Sequence, residues 1–493
     1  MTIKDLEPKS VWNNFYSLTQ IPRPSKKEGK AIDFMYDFGK SLGLETYRDA
    51  IGNVIIRKPA TPGMEHLTGV ILQGHIDMVP QKNADTVHDF EKDPIQTWID
   101  GDWVKAKGTT LGADNGLGVA MAMSVLQSDT IKHGPLEVLI TMDEETGMTG
   151  ANFLKPGLLK GKILINLDSE TEGELYVGCA GGMDFTAKAS YQRCEEPEGW
   201  LCYSLDVKGF KGGHSGMDII LCRANANKVA ARLVWALMTE AGVKLVDFEG
   251  GTLRNAIPRE AFVTVYVDPS KEAAAKAVVE RLASVIKEEY KVTDPDASIS
   301  FHPYVCDGGE CDPQDCLYVE PSAATRFVQA VLACPDGVER MCDQMPGFVE
   351  TSNNMAMVSI YRGEFKVSTL MRSSVDSAKE ALAEKISSVF RLAGCEVELT
   401  GGYSGWAPNA SSRILSTMKK VYNDLFGKEP AVMAIHAGLE CGILGGTYPD
   451  WDMISCGPTL MSPHSPDERA NIPSVEKCWT FLQAVLANIP EAE

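Results

Sequence analysis

The chain has 493 residues, too many for a single hydrophobic core, so two or more structural units are expected. Hydrophobic residues make up 44% and charged residues 23%, the balance of a globular protein and not of a disordered one. A formal net charge of -20 at pH 7 argues against nucleic acid and acidic membrane surfaces as partners.

The opening stretch MTIKDLEPKSVWNNFYSLTQ is polar and mixed, without the apolar centre of a secretory signal, and no apolar run is long enough to cross a bilayer. A soluble, cytoplasmic protein is therefore expected. The 13 cysteines, odd in number and scattered, read as reduced thiols. Cys306, Cys311 and Cys316 form the one cluster, with His302 just before them. Their wide spacing and Gly/Asp-rich setting fit a loop better than a structural zinc knuckle.

Along the first 183 residues, helical patterns alternate with apolar strands. Helices are expected near 10–19 and 26–42, then strands in GNVIIRKP and GVILQGHIDMV, a turn-rich loop, a helix over 116–127, and strands in LEVLITMD and KILINLD. This alternation predicts an α/β sheet with helices on its faces. VILQ, LEVLI and KILIN are nearly all apolar, as strands covered on both faces should be. Polar groups directly after such strands lie at the sheet edge, where open α/β sheets place their sites.

The character changes after GCAGGMD. Residues 184–401 contain a unit that occurs twice: AFVTVYV, a helix from DPSKEAAAKAVVERLASVIKEEY, then ASISFHPYV; and EFKVSTLMRSSV, a helix from DSAKEALAEKISSVFRLAG, then EVELTGGY. Another helix precedes each copy, NANKVAARLVWALM and AATRFVQAVLA. The pattern predicts an α+β domain of two split β-α-β half-domains, inserted into the first domain. Residues 402–493 return to strand and helix alternation and are expected to complete the first sheet.

Only eight histidines occur, so each can be weighed. His75 and Asp77 in VILQGHIDMVP share one side of a strand, which suits a metal-bound imidazole braced by a carboxylate. Asp114 in TTLGADNGLG stands among glycines where a helix begins; it suits a ligand or a helix N-cap equally. Asp143, Glu144 and Glu145 follow a buried strand and repel one another unless a cation or solvent relieves them. Asp168 likewise ends an apolar strand, and His464 lies in the Pro-rich loop MSPHSPDER. Singly, each has an ordinary structural explanation. Together they are a mixed histidine and carboxylate set that suits zinc, with manganese or cobalt as substitutes.

GHIDMVP, TTLGADNGLG, MDEETG, NLDSE and SPHSPDE, in that order, resemble the metal motifs of the two-zinc exopeptidases related to carboxypeptidase G. GGHSG, GGTLRNAIPRE, RSSVDS and HAGLECG resemble a dipeptidase branch of that family, and the motifs together span most of the chain. The resemblance implies a catalytic domain with a central mixed sheet flanked by helices, formed by 1–183 and 402–493, and a lid domain over 184–401. It implies two Zn2+ per chain, with Mn2+ or Co2+ as substitutes. His75 and Asp168 would hold one ion, Glu145 and His464 the other, and Asp114 would bridge them. Asp77 would brace His75, Glu144 would act as general base, and His214 would polarise the scissile carbonyl. Asn255, Arg372 and the loop at Gly438 would bind substrate, and the Asp114–Asn115 peptide would be cis.

The implied reaction is hydrolysis of dipeptides with a free N-terminus, Xaa-His among them. Tripeptide cleavage and removal of N-acyl groups are the alternatives within the family. An aspartate at 168 resembles the aminopeptidase and dipeptidase branches, whereas carboxypeptidases and deacetylases tend to carry glutamate there. Expected partners are small peptides, with no nucleic acid and no membrane; a homodimer is left open. Single-unit lids in the wider family often pair between subunits, and a doubled lid would imitate that pairing within one chain.

Overall fold

All six residues of the strand Val70–His75 are buried, as are all of Leu136–Thr141 and all of Ile163–Asn166. That is the burial expected of strands covered on both faces. The computed structural model describes residues 2–305, 312 and 314–492. It divides into two compact units: Met1–Cys179 with Trp406–Ala434 and Leu439–Glu493, and Ala180–Gly405 with Ile435–Gly438. The short excursion Ile435–Gly438 has no counterpart in the sequence-based division.

The first unit is built on an eight-stranded mixed sheet. Its centre is a parallel run of Leu136–Thr141, Val70–His75, Ile163–Asn166 and Asp452–Ser455. Asp452–Ser455 comes from the last part of the chain and pairs directly with Ile163–Asn166. Val54–Lys58 runs antiparallel to Leu136–Thr141 and continues the sheet towards its edge. The helix Ala113–Gln127 has 13 buried residues among its 15 and no polar face, so it is a core helix. Lys9–Thr19 packs against it, with Asn14 Nδ2 donating to Ser124 Oγ and Gln127 Oε1, each at 2.9 Å. Among the described residues no helix is long and apolar enough to cross a membrane.

The second unit has one nine-stranded sheet and a two-stranded ribbon in addition to shorter pairings. Leu201–Lys208, Lys244–Gly250, Ala261–Val267 and Ser298–Pro303 form its first half, in the spatial order fourth, first, third, second. Gly181–Ser190, Val349–Tyr361, Glu364–Ser373 and Glu396–Tyr403 form the second half with the same order mirrored. The halves join through their second strands, with Phe248 opposite Ile360 and Gly250 opposite Val358. The helices Ala226–Ala236 and Glu272–Glu289 serve the first half; Pro321–Ala333 and Asp376–Leu392 serve the second. One apolar core runs through both, from Val229 and Val279 to Phe327 and Phe390, with Phe327 and Phe365 stacked at 4.2 Å.

The chain order refines the repeat read from sequence. In each half the sequence pattern marked the third and fourth strands and missed the first two. The second half's first strand, Gly181–Ser190, precedes the whole first half, so one half is inserted into the other. Of the cysteine loop, Cys306 and Cys311 lie outside the described residues, and His302 Nε2 faces Asp206 at 3.5 Å.

Candidate active site

The candidate ligands of the first unit gather beyond the carboxyl ends of its parallel strands. His75 closes one strand, Asp168 follows the strand Ile163–Asn166, and Glu144 and Glu145 follow Leu136–Thr141. Asp114 stands at the start of the core helix, held at a non-helical ψ of 112°, and the Asp114–Asn115 peptide is cis. Asn115 Nδ2 donates to the Leu167 carbonyl at 2.7 Å, and a Cβ on Gly118 would collide with that same carbonyl. The helix start is thus seated against the segment that carries Asp168.

Asp114 lies between the two histidines. Its Oδ1 is 3.2 Å from His75 Nε2 and its Oδ2 is 3.1 Å from His464 Nε2. Asp168 Oδ1 is 3.4 Å from His75 Nε2, and Glu145 Oε2 is 2.9 Å from His464 Nε2. Three groups could each hold a metal ion, with ligand atoms within 4.8 Å of one another: His75, Asp114 and Asp168; Asp114, Glu145 and His464; and His75, Glu144 and Glu145. Glu145 Oε1 is buried without a hydrogen-bond partner, and Asp168 Oδ1 has only the long approach of His75 Nε2. Buried carboxylate oxygens so poorly partnered fit a cation, so the donor set suits the metals its chemistry implies.

Asp77 does two things. Its Oδ1 lies 3.3 Å from His75 Nδ1, and its two oxygens accept from the backbone N–H groups of Glu144 (3.0 Å) and Glu145 (3.3 Å). Asp143, first of the three successive carboxylates, turns away into the fold. It has a left-handed φ of 49° and accepts from the hydroxyls of Thr146 and Thr149, so it fixes the turn.

The electrostatics follow from this crowding. Burial works against the charged form of His75, but Asp168, Asp114 and Asp77 push it well above its usual range. Hydrogen bonds to Asp114 and Glu145 hold His464 up to about 11. Burial raises Asp168 to about 8 despite His75. Glu144 is also held well above the usual carboxylate range, by burial first and then by Asp168, Glu440 and Glu145, against the pull of His75.

Two buried residues that the sequence reading passed over hold the Asp114 loop. Glu468 Oε2 accepts from the backbone N–H of Leu111 (2.7 Å) and Gly112 (3.0 Å), and Oε1 from Ala113 (2.8 Å) and Asp114 (3.2 Å). Arg23 donates to the carbonyls of Ile76, Asp77 and Gly112. Glu468 lies four residues after His464, so one loop supplies a candidate ligand and a clamp on another.

The second unit, described by itself, brings His214, Arg372 and Gly438 into one neighbourhood. His214 pairs with Ala256 in the two-stranded ribbon, and its Nδ1 accepts from the N–H groups of Gly216 (3.2 Å) and Met217 (3.1 Å). Burial and Arg372 lower its pKa, so the ring is neutral and its proton sits on Nε2. Arg372 is buried, and its hydrogen bonds to Ser215 Oγ (3.4 Å) and the Tyr403 hydroxyl (3.5 Å) are long. Asn255 anchors the His214 turn through its backbone, its carbonyl accepting from Ser215 N–H at 2.8 Å. His436, two residues before Gly438 and unmarked by the sequence reading, is buried with its Nε2 2.7 Å from Ser352 Oγ. Burial and Arg372 pull its pKa down to about 3. A Cβ on Gly216 would collide with the His436 carbonyl, so the segment containing Gly438 lies against the His214 turn.

Two histidines sharing a carboxylate, with further carboxylates at sheet ends, are a donor set that suits a metal-dependent hydrolase. Residues 71–488 match the model of peptidase family M20/M25/M40. The chain belongs to this family of metallopeptidases. It is 44% identical over 488 residues to the cytosol non-specific dipeptidase of Escherichia coli (strain K12), covering 99% of each chain. Among solved structures it resembles the aminoacylhistidine dipeptidase of Vibrio alginolyticus at 45% identity and TM-score 0.96, covering 100% of this chain and 99% of that one. An aminopeptidase from Bacillus cereus shares the fold at 16% identity and TM-score 0.56, covering 98% of this chain and 99% of that one.

Proposed function

We propose that the chain is a cytoplasmic dipeptidase that hydrolyses unblocked dipeptides, Xaa-His among them, at a two-zinc centre. The observation that carries this reading is Asp114, which offers one carboxylate oxygen towards each of two histidines. The near-complete match to a cytosol dipeptidase supports the substrate class and compartment. In this reading His75 and Asp168 would hold one ion, Glu145 and His464 the other, and Asp114 would be shared between them. Mn2+ or Co2+ would fit the same donors.

Zinc bound there would supply Lewis acidity and make a water nucleophilic near neutral pH. Glu144 acts as general base: it accepts the proton of the attacking water and returns it to the leaving amine nitrogen. In the metal-free chain, burial, which disfavours the charge, raises its proton affinity. Asp77 keeps the His75 ring oriented and, through the amides of Glu144 and Glu145, fixes the base and a ligand together. The neutral His214 donates Nε2–H to the carbonyl oxygen as charge develops on it. Arg372, buried and only loosely bonded, binds the substrate carboxylate together with Asn255 and the Gly438 loop. In this reading both lid residues act within their own chain, which the joining of two mirrored halves in one sheet of the second unit supports.

Activity against a panel of dipeptides, tripeptides and N-acyl amino acids tests the assignment. Turnover confined to unblocked dipeptides and abolished by a chelator is expected. A preference for tripeptides or acylated substrates would overturn it.

A further inference from the structure

The central strands carry a second polar layer beneath the candidate ligands. Gln73 stands two residues before His75 and Asn166 two before Asp168, while Thr141 ends the strand that leads to Glu144. In parallel strands buried on both faces these positions would ordinarily be apolar. Here they form one hydrogen-bonded row. Asn166 Nδ2 donates to Gln73 Oε1 at 2.6 Å, and Ser455 Oγ donates to Asn166 Oδ1 at 2.5 Å.

The other end of the row is a carboxylate. Glu440, at the start of the helix Glu440–Thr447, is 1% exposed. Its Oε2 accepts from Gln73 Nε2 at 2.5 Å and from Thr141 Oγ1 at 2.8 Å. Its Oε1 is buried without a hydrogen-bond partner. Both donors are neutral, and burial raises its pKa to about 7 against the opposing pull of His75. Asp168 and Glu144 feel its charge in turn. A buried carboxylate without a cationic partner is costly to keep, and a glutamine of the same shape could accept the same two bonds.

We propose that Glu440 is a positioning residue for the metal centre, whose buried negative charge beneath His75 strengthens cation binding at the cost of the metal-free protein's stability. It rests on the metal-centre reading above. The charge acts through the low-dielectric interior on the ions that His75 and Asp168 would hold, where attraction falls off less than it does in water. The hydrogen-bonded row fixes the depth at which that charge sits.

Glu440→Gln and Thr141→Val in the full-length chain separate charge from hydrogen bonding. Each is stripped with a chelator, melted as the metal-free protein, and titrated with zinc against a competing chromophoric chelator. Wild-type titration alongside reports on the metal-centre reading itself, since a wild type that takes up no zinc contradicts that reading first. For Glu440→Gln the expected result is a metal-free melting temperature equal to or above wild type, with zinc affinity weakened about 10–100-fold. For Thr141→Val it is a lower melting temperature with zinc affinity near wild type. A Glu440→Gln chain that melts lower or does not fold would overturn the proposal. So would wild-type zinc affinity in that variant, or equal losses of affinity in both variants.

Discussion

Replacing Glu468 by glutamine should loosen the loop that carries Asp114. The carboxylate accepts four backbone N–H groups, two on each oxygen, all between 2.7 and 3.2 Å. Glutamine keeps one acceptor oxygen and turns an NH2 group towards the other two donors. Each buried N–H left without an acceptor costs about 1–3 kcal/mol, so two cost about 2–6 kcal/mol before the loop relaxes. Relaxation returns part of this, and a net loss of about 3 kcal/mol is expected. Removing the acceptor at Asp114 N–H also frees that ligand's backbone, and zinc affinity should fall about 10–100-fold. Urea unfolding of the metal-free protein, followed by circular dichroism, measures the first quantity, and chelator competition the second. Glu476→Gln, on an exposed helical position, serves as control and should stay within about 0.5 kcal/mol of wild type. If Glu468→Gln behaved like that control in both assays, the clamp would not be what holds the loop.

Glu144→Gln should bind zinc like wild type yet lose about 10²–10⁴-fold in kcat, as removal of a general base does; retention of near wild-type turnover would assign the base elsewhere. Arg372→Met should raise KM for dipeptides far more than for the corresponding dipeptide amides, because only the former carry a terminal carboxylate. Equal effects on both would remove Arg372 from carboxylate binding. Mixing inactive Glu144→Gln chains with inactive His214→Ala chains, under conditions that allow subunit exchange, should restore no activity. Substantial recovery would mean that His214 serves a partner's substrate.

The sequence marks the candidate ligands well where a polar residue interrupts an apolar strand. His75 after VILQG and Asp168 after ILINL stand out because the preceding residues can only be buried. In MDEET the residues are equally visible but their directions are not. Asp143 turns inward to two threonines because its backbone is left-handed, which no hydrophobic period reveals. Glu468 and Glu440 escaped notice for another reason. Their partners lie more than 290 residues away in sequence, so nothing near Glu468 or Glu440 shows what they bind. The same distance hides the lid's nesting. Gly181–Ser190 pairs with Glu364–Ser373 across the entire first half, while the repeat detectable in sequence begins only at the helices.

Metal stoichiometry of Asp114→Ala bears most directly on the account. Asp114 turns one oxygen towards each histidine, so two zinc ions per wild-type chain should fall to none tightly held in the variant, while the fold measured by circular dichroism persists. Two tightly bound ions in Asp114→Ala would contradict the shared-ligand centre on which the proposed chemistry depends.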